Sequence, residues 1–209
     1  WQAYTKTLLV PFAETFPADR LPRLGALARR LFGEGWTPGS GPTLLRLATR
    51  GAPDEGAKSI PFGTPICFED GFGEYCAGFA RGGARFLAVL TSDAWARSAS
   101  CQRQHLAASV FRAAETGLPL LRAAGTGATA LVGPDGAILA SLPPFTADFL
   151  LVDLDLPEAA ATPYLLLGDL PAGLAGLGAL LALALSYAKG GGGSRGLLAA
   201  AAARRRRSH

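Results

Sequence analysis

From Leu170 to Ala188 the chain carries no charged side chain and is built mainly from Leu, Ala and Gly. As a helix this stretch is roughly 28 Å long, against a bilayer core of about 30 Å. It is therefore read as a transmembrane helix over 170–188, with Asp169 able to cap its first turn and Pro171 at a position where proline is tolerated. Lys189, Arg195 and Arg204 to Arg207 follow it. Positive charge on that side places the C-terminus in the cytoplasm and everything before Asp169 outside it. The alternative is an apolar helix in the core of a soluble protein. Gly190 to Gly193 with Ser194 reads as a flexible linker, and residues 189–209 as a flexible basic cytoplasmic tail.

The preceding residues alternate short β-rich runs with helical stretches, which is an α/β pattern. Strands are expected at Thr7–Pro11, Thr43–Thr49, Thr64–Phe68, Phe86–Thr91, Leu120–Ala124, Ala128–Val132 and Phe149–Leu154. Helices are expected at Leu21–Leu31, Gly71–Gly82 and Cys101–Thr116, the last with Leu106, Val110, Ala113 and Ala114 near one face. Gly133-Pro134-Asp135-Gly136 reads as a hairpin turn. Gly-rich and Pro-rich loops are expected around Trp36–Pro42 and Gly51–Ser59. Residues 1–157 thus form one domain, 158–169 a connector, and 170–188 the span.

Charge excludes one class of function. The formal net charge is +4, but four positive charges sit in Arg204 to Arg207, so the body is near neutral and no nucleic-acid face is expected. Cys67, Cys76 and Cys101 form no CxxC pair, and the two histidines are His105 and His209. No metal and no cofactor are expected. The chain does not begin with methionine and contains none; it reads as part of something longer, with targeting information upstream.

Chemistry concentrates at Pro65-Ile66-Cys67-Phe68-Glu69-Asp70, which sets a cysteine between an apolar β-type run and acidic turn residues. A thiolate nucleophile needs a base and an oxyanion stabiliser, and Lys6 is the cationic candidate. Taken alone, Cys67 is also compatible with a buried structural cysteine.

The ordered set Tyr4-x-Lys6-x-x-Leu9-Val10-Pro11-Phe12-x-Glu14, Ile66-Cys67-Phe68-Glu69, Ser92-Asp93-Ala94-Trp95, Gln104-His105 and Arg112-x-x-Glu115-x-Gly117-x-Pro119-Leu120-Leu121-Arg122 resembles the apolipoprotein N-acyltransferases. These are membrane-bound members of the nitrilase (carbon-nitrogen hydrolase) superfamily. Gly127, the Gly133-Pro134-x-Gly136 turn, Thr162-Pro163-Tyr164 and Gly168-Asp169 extend the likeness over most of residues 4–188. The resemblance implies a partial nitrilase-like α-β-β-α sandwich, lacking its N-terminal part, followed by one transmembrane helix.

It also implies roles. Cys67 is the nucleophile, Lys6 and the backbone N–H of Phe68 stabilise the oxyanion, Glu14 orients the lysine, and Glu69 is the acidic position beside the nucleophile. For Glu14 and Glu69 the bland alternative is a solvated surface carboxylate. Trp95, Phe72 and Phe145 are expected to bind substrate, core packing being the alternative, and His105 and Arg112 to brace their helix. The family's proton-accepting glutamate is expected upstream of residue 1, so this chain alone is expected to be inactive. Phe68 replaces a more usual tyrosine, Gly125 an asparagine and Ser92 an asparagine.

The implied reaction has two steps: Cys67 takes an acyl chain from a membrane phospholipid as a thioester, then passes it to the N-terminal amine of a diacylglyceryl-cysteine in an apolipoprotein. The implied place is a bacterial inner membrane, with the catalytic domain on its extracytoplasmic side. A soluble-type amidase and a non-catalytic membrane-anchored interaction domain are the competing readings. The apolar run tells against the first, and the missing glutamate favours the second.

Overall fold

The computed structural model describes residues 1–15, 23, 25–27, 30, 33, 35–49, 58–158 and 161–205, with side chains described as far as Tyr187. The helix expected at Leu21–Leu31 and the loop expected at Gly51–Ser59 lie largely outside these residues. The chain divides into two units, Trp1–Leu166 and Leu167–His209.

In the first unit, strands β1 (Leu45–Ala48) and β2 (Ser59–Phe62) pair antiparallel. After them come a 3-10 turn over Cys67–Gly71 and helix α1 (Gly73–Arg81). Strand β3 (Leu87–Thr91) leads to helix α2 (Ala99–Thr116), then β4 (Leu120–Ala124), β5 (Thr129–Val132) and β6 (Ile138–Leu142). The second sheet has the order β3-β4-β5-β6, with β3 and β4 parallel and the later pairs antiparallel. Gly133–Gly136 makes the hairpin turn between β5 and β6, closed by the Gly133 N–H on the Ala137 carbonyl at 2.8 Å.

Period-2 alternation sets the core. Leu87 and Val89 of β3, Leu120 of β4 and Ala130 and Val132 of β5 point to one buried cluster, which Cys76 and Phe79 of α1 and Ala113 of α2 complete. Gly63 allows that contact, because a Cβ there would sit 2.5 Å from the Phe79 ring. Burial drives the Cys76 thiol pKa far up, so this cysteine is an inert core side chain. The same alternation carries Arg122 into the interior, two residues beyond Leu120 on the same side of β4.

Three expected strands come out differently. Thr7–Pro11 builds no ladder, because the N–H groups of Thr7 and Leu8 go to the carboxylate of Glu69 instead of a neighbouring strand. Thr64–Phe68 stops at Ile66, which makes an isolated parallel bridge with Leu90 before the chain turns at Cys67. Phe149–Leu154 is no strand; Phe149 and Leu151 are exposed, and no described strand runs beside them. The face expected on α2 is also different. Leu106 and Val110 pack against the core and Ala113 is buried, but Ala114 is exposed, while Gln102, Ser109, Arg112 and Thr116 are buried polar residues.

The connector is tied to the first unit. Arg85 donates to the carbonyls of Leu156 and Pro157, Arg81 to that of Leu165, and the Thr162 hydroxyl to that of Glu115. A short helix α3 (Pro163–Leu167) follows.

Helix α4 (Leu170–Arg205) runs through Gly190–Gly193, where the sequence predicts a flexible linker, and into the alanine-rich end. Alanine is the strongest helix former, and elongation from an established helix is far easier than nucleation. Leu170–Tyr187 is long and apolar enough to cross a membrane, and none of it is buried within the protein.

Candidate active site

The segment 63–66, β3 and β4 run parallel, and chemistry-bearing residues leave their C-terminal ends: Cys67 after Ile66, and Ser92 and Asp93 after Thr91. Openings at the carboxyl ends of parallel strands are the usual place for ligand sites in such sheets. Here lies a cleft of about 1120 Å³, lined by Lys6, Glu14, Cys67, Phe68, Trp95 and His105 together with apolar Leu9, Val10, Ala13, Trp36, Ile66 and Leu90.

Cys67 is half-buried and sits at φ +52°, a left-handed conformation that a side chain larger than glycine adopts only at a cost. The backbone folds sharply there, from the extended Ile66 into the 3-10 turn. No acceptor for the Phe68 N–H is found among the described residues.

Lys6 is 6% exposed. Its Nζ donates to both Glu14 oxygens, at 2.8 and 2.7 Å. Glu14 is brought back by a tight turn in which the Glu14 N–H donates to the Val10 carbonyl at 2.9 Å, and Oε2 accepts the Val10 N–H at 2.8 Å. An ammonium has three protons, so this pairing leaves one for another acceptor. Glu14 is the one carboxylate lining the cleft among the described residues.

Glu69 is fully buried and is not a surface carboxylate. Oε1 accepts the N–H groups of Thr7 at 2.6 Å and Leu8 at 3.0 Å; Oε2 accepts the Ile66 N–H and the Tyr4 hydroxyl, both at 2.7 Å. It ties the lysine-bearing segment to the cysteine-bearing one. The Tyr4 hydroxyl, 2.6 Å from that of Tyr75, has its pKa pushed far up by burial and then by its partners Tyr75 and Glu69, so it remains a neutral donor.

Behind the cysteine lies a charge cluster. Asp70 and Arg122 are buried and pair at 2.6 Å, and Arg122 also reaches Asp93 at 3.1 Å. His105 bridges the two aspartates, with Nδ1 2.7 Å from Asp93 and Nε2 2.9 Å from Asp70. Ser109 donates to Asp70 at 2.6 Å, and Arg112 joins the Asp70 carbonyl to Glu115. Burial lowers the His105 pKa, but the hydrogen bonds to Asp70 and Asp93 outweigh it and lift it to about 10. For Asp93 burial acts upward, and His105, Arg122 and Thr91 together hold its carboxyl below the usual range. Two carboxylates and two cations thus neutralise one another.

Of the residues singled out from sequence, Cys67, Lys6, Glu14, Phe68 and Trp95 share the cleft, Trp95 with 72% of its surface exposed. Phe72 packs edge-on against Phe68 at 4.9 Å and is not among the lining residues; nor is Phe145, an exposed residue at φ +62°. His105 and Arg112 do more than brace their own helix. They hold the turn that carries Asp70. Sequence reasoning gave no role to Asp70, Ser109 or Arg122, although a charged residue at a core-facing position of β4 demands a buried counter-charge.

The chain is similar to known proteins over most of its length. Apolipoprotein N-acyltransferase 1 of Treponema denticola is 42% identical over 170 residues, 80% of this chain and 29% of that protein. Apolipoprotein N-acyltransferase of Chromobacterium violaceum is 38% identical over 187 residues, 87% of this chain and 33% of that one. The chain therefore spans about a third or less of the curated relatives it matches. Among solved structures, an amidase from Nesterenkonia sp. AN1 aligns with 67% of this chain and 46% of its own, at 23% identity and a TM-score of 0.43. The carbon-nitrogen hydrolase family model matches residues 2–164, and the chain belongs to that family, with the mixed α/β sheets of the nitrilase superfamily.

Proposed function

We propose that this chain carries the acyl-transfer site of an apolipoprotein N-acyltransferase, moving an acyl chain from a membrane phospholipid to the N-terminal amine of a diacylglyceryl-cysteine. The observation that carries the reading is the meeting of Cys67, Lys6 and Glu14 in a largely apolar cleft, in a chain whose relatives bear that name.

The Cys67 thiolate attacks the ester carbonyl, forming a C–S bond and an oxyanion. The third Lys6 proton and the unengaged Phe68 N–H stabilise that charge. Collapse breaks the C–O bond and releases the lysophospholipid alcohol, which takes up a proton. The acceptor amine then attacks the thioester, loses a proton, and returns the sulfur as thiolate. Glu14 holds Lys6 in place through both of its oxygens, and Glu69 fixes the distance between the lysine and cysteine segments. The thiol proton is assigned to no residue here, since the one described carboxylate of the cleft is already engaged by Lys6 and Val10. Trp95 offers an apolar wall to the acyl chain.

Helix 170–187 is proposed to span a bacterial inner membrane, with the site extracytoplasmic and the basic end cytoplasmic. Such an anchor favours lipid substrates over the small amides of a soluble amidase. The test is mass spectrometry of the protein after incubation with phospholipid vesicles. An acyl-sized adduct on Cys67, absent in Cys67→Ala, supports the reading; no adduct on the enzyme supplied with its upstream part sinks it.

A further inference from the structure

We propose that His105 is a positioning residue for the oxyanion hole, holding the Cys67 carbonyl so that the Phe68 N–H faces the reacting oxygen. The proposal rests on the acyl-transfer reading above.

The geometry fixes the ring first. Nδ1 meets a carboxylate oxygen of Asp93 at 2.7 Å, and Nε2 meets one of Asp70 at 2.9 Å. Ionised carboxylates only accept, so both ring nitrogens must donate and the ring is an imidazolium. The charges facing it are Asp70 from the 3-10 turn, Asp93 after β3 and Arg122 from β4, and these sum with the ring to zero. The elevated pKa agrees with this state.

Nε2 also lies 3.4 Å from the Cys67 carbonyl oxygen, the longer branch of a three-centre bond. No peptide among the described residues is cis, that between Cys67 and Phe68 included. In a trans peptide the carbonyl of one residue and the N–H of the next point in opposite directions within one plane. Anchoring the Cys67 carbonyl to a cation therefore sets where the Phe68 N–H points. That N–H has no acceptor among the described residues, and Cys67 stands at a φ that needs an outside hold. His105 supplies the hold from the side of the charge cluster.

The test separates acylation, which builds an oxyanion, from alkylation, which does not. The enzyme supplied with its upstream part, in detergent micelles, is treated with p-nitrophenyl butyrate, transferring butyryl to sulfur and releasing p-nitrophenolate, or with iodoacetamide, forming a thioether and releasing iodide. Plateau rate constants are taken from pH profiles, so that differences in thiol ionisation drop out. For His105→Gln the acylation plateau falls by about 10²-fold, as when an oxyanion donor is lost, while the alkylation plateau changes by less than about threefold. Equal loss of both, or unchanged acylation, overturns the proposal. An unsubstituted protein that alkylates at Cys67 but is never acylated there overturns the acyl-transfer reading and this proposal with it. Should His105→Gln not fold, ring ¹⁵N spectra of the unsubstituted protein decide: two protonated nitrogens at pH 8 support it, and a singly protonated ring overturns it.

Discussion

The Tyr4 hydroxyl donates to Oε2 of Glu69 at 2.7 Å across 65 residues of sequence. With three backbone N–H groups on the same carboxylate, Glu69 is a cross-brace between the segments bearing Lys6 and Cys67. Substituting Glu69→Gln puts an NH₂ group where two donors already point, leaving buried N–H or O–H groups unpaired. The expected loss is about 2–4 kcal/mol by denaturant unfolding, against about 1 kcal/mol for Tyr4→Phe. A Gln variant as stable as the parent would show that Glu69 does not brace the two segments.

The Lys6–Glu14 pair is expected to be strongly coupled. Glu14→Gln leaves a nearly buried ammonium without its counter-charge and costs about 3 kcal/mol or more. Adding Lys6→Met to that variant restores much of the stability, because an apolar side chain tolerates the site, but does not restore acylation of Cys67. A double-mutant cycle on unfolding midpoints measures the coupling; additivity within about 0.5 kcal/mol would contradict it.

His105 gives stability a defined pH dependence. Its folded pKa is raised to about 10, so its contribution is complete below about 6.5, the unfolded value, and is lost as pH rises through 10. The unfolding midpoint should fall between pH 7 and 10, more steeply in the parent than in His105→Gln. Parallel curves for the two proteins would show that the ring is not held charged by Asp70 and Asp93.

Gly127 makes room for the charge cluster. A Cβ there would lie 2.1 Å from Oδ2 of Asp93 and 3.2 Å from the Ala124 Cβ. Gly127→Ala must push Asp93 off Arg122 and His105, with a cost of about 2 kcal/mol or more. Gly173→Ala, in open surroundings on α4, serves as the control and leaves the first unit's melting temperature unchanged.

The α/β alternation, the hairpin at Gly133–Gly136, helices α1 and α2, and the uncharged helix from Leu170 are legible in the amino-acid sequence. Each is a local matter of periodicity, turn chemistry or composition, readable within a window of a few residues. Motif order was enough to single out Cys67, Lys6, Glu14, Phe68 and Trp95. Tertiary structure alone decided the rest. Thr7–Pro11 has strand composition but spends its amides on Glu69, a partner more than sixty residues away. Phe72 and Phe145 are aromatic residues that lie outside the lining of the cleft, because exposure depends on what packs nearby. The cluster of Asp70, Asp93, His105 and Arg122 comes from four separate elements, and no local pattern reveals that two acids and two bases will meet. Burial in a low-dielectric interior makes their pairing obligatory, and only the fold brings them within reach of one another.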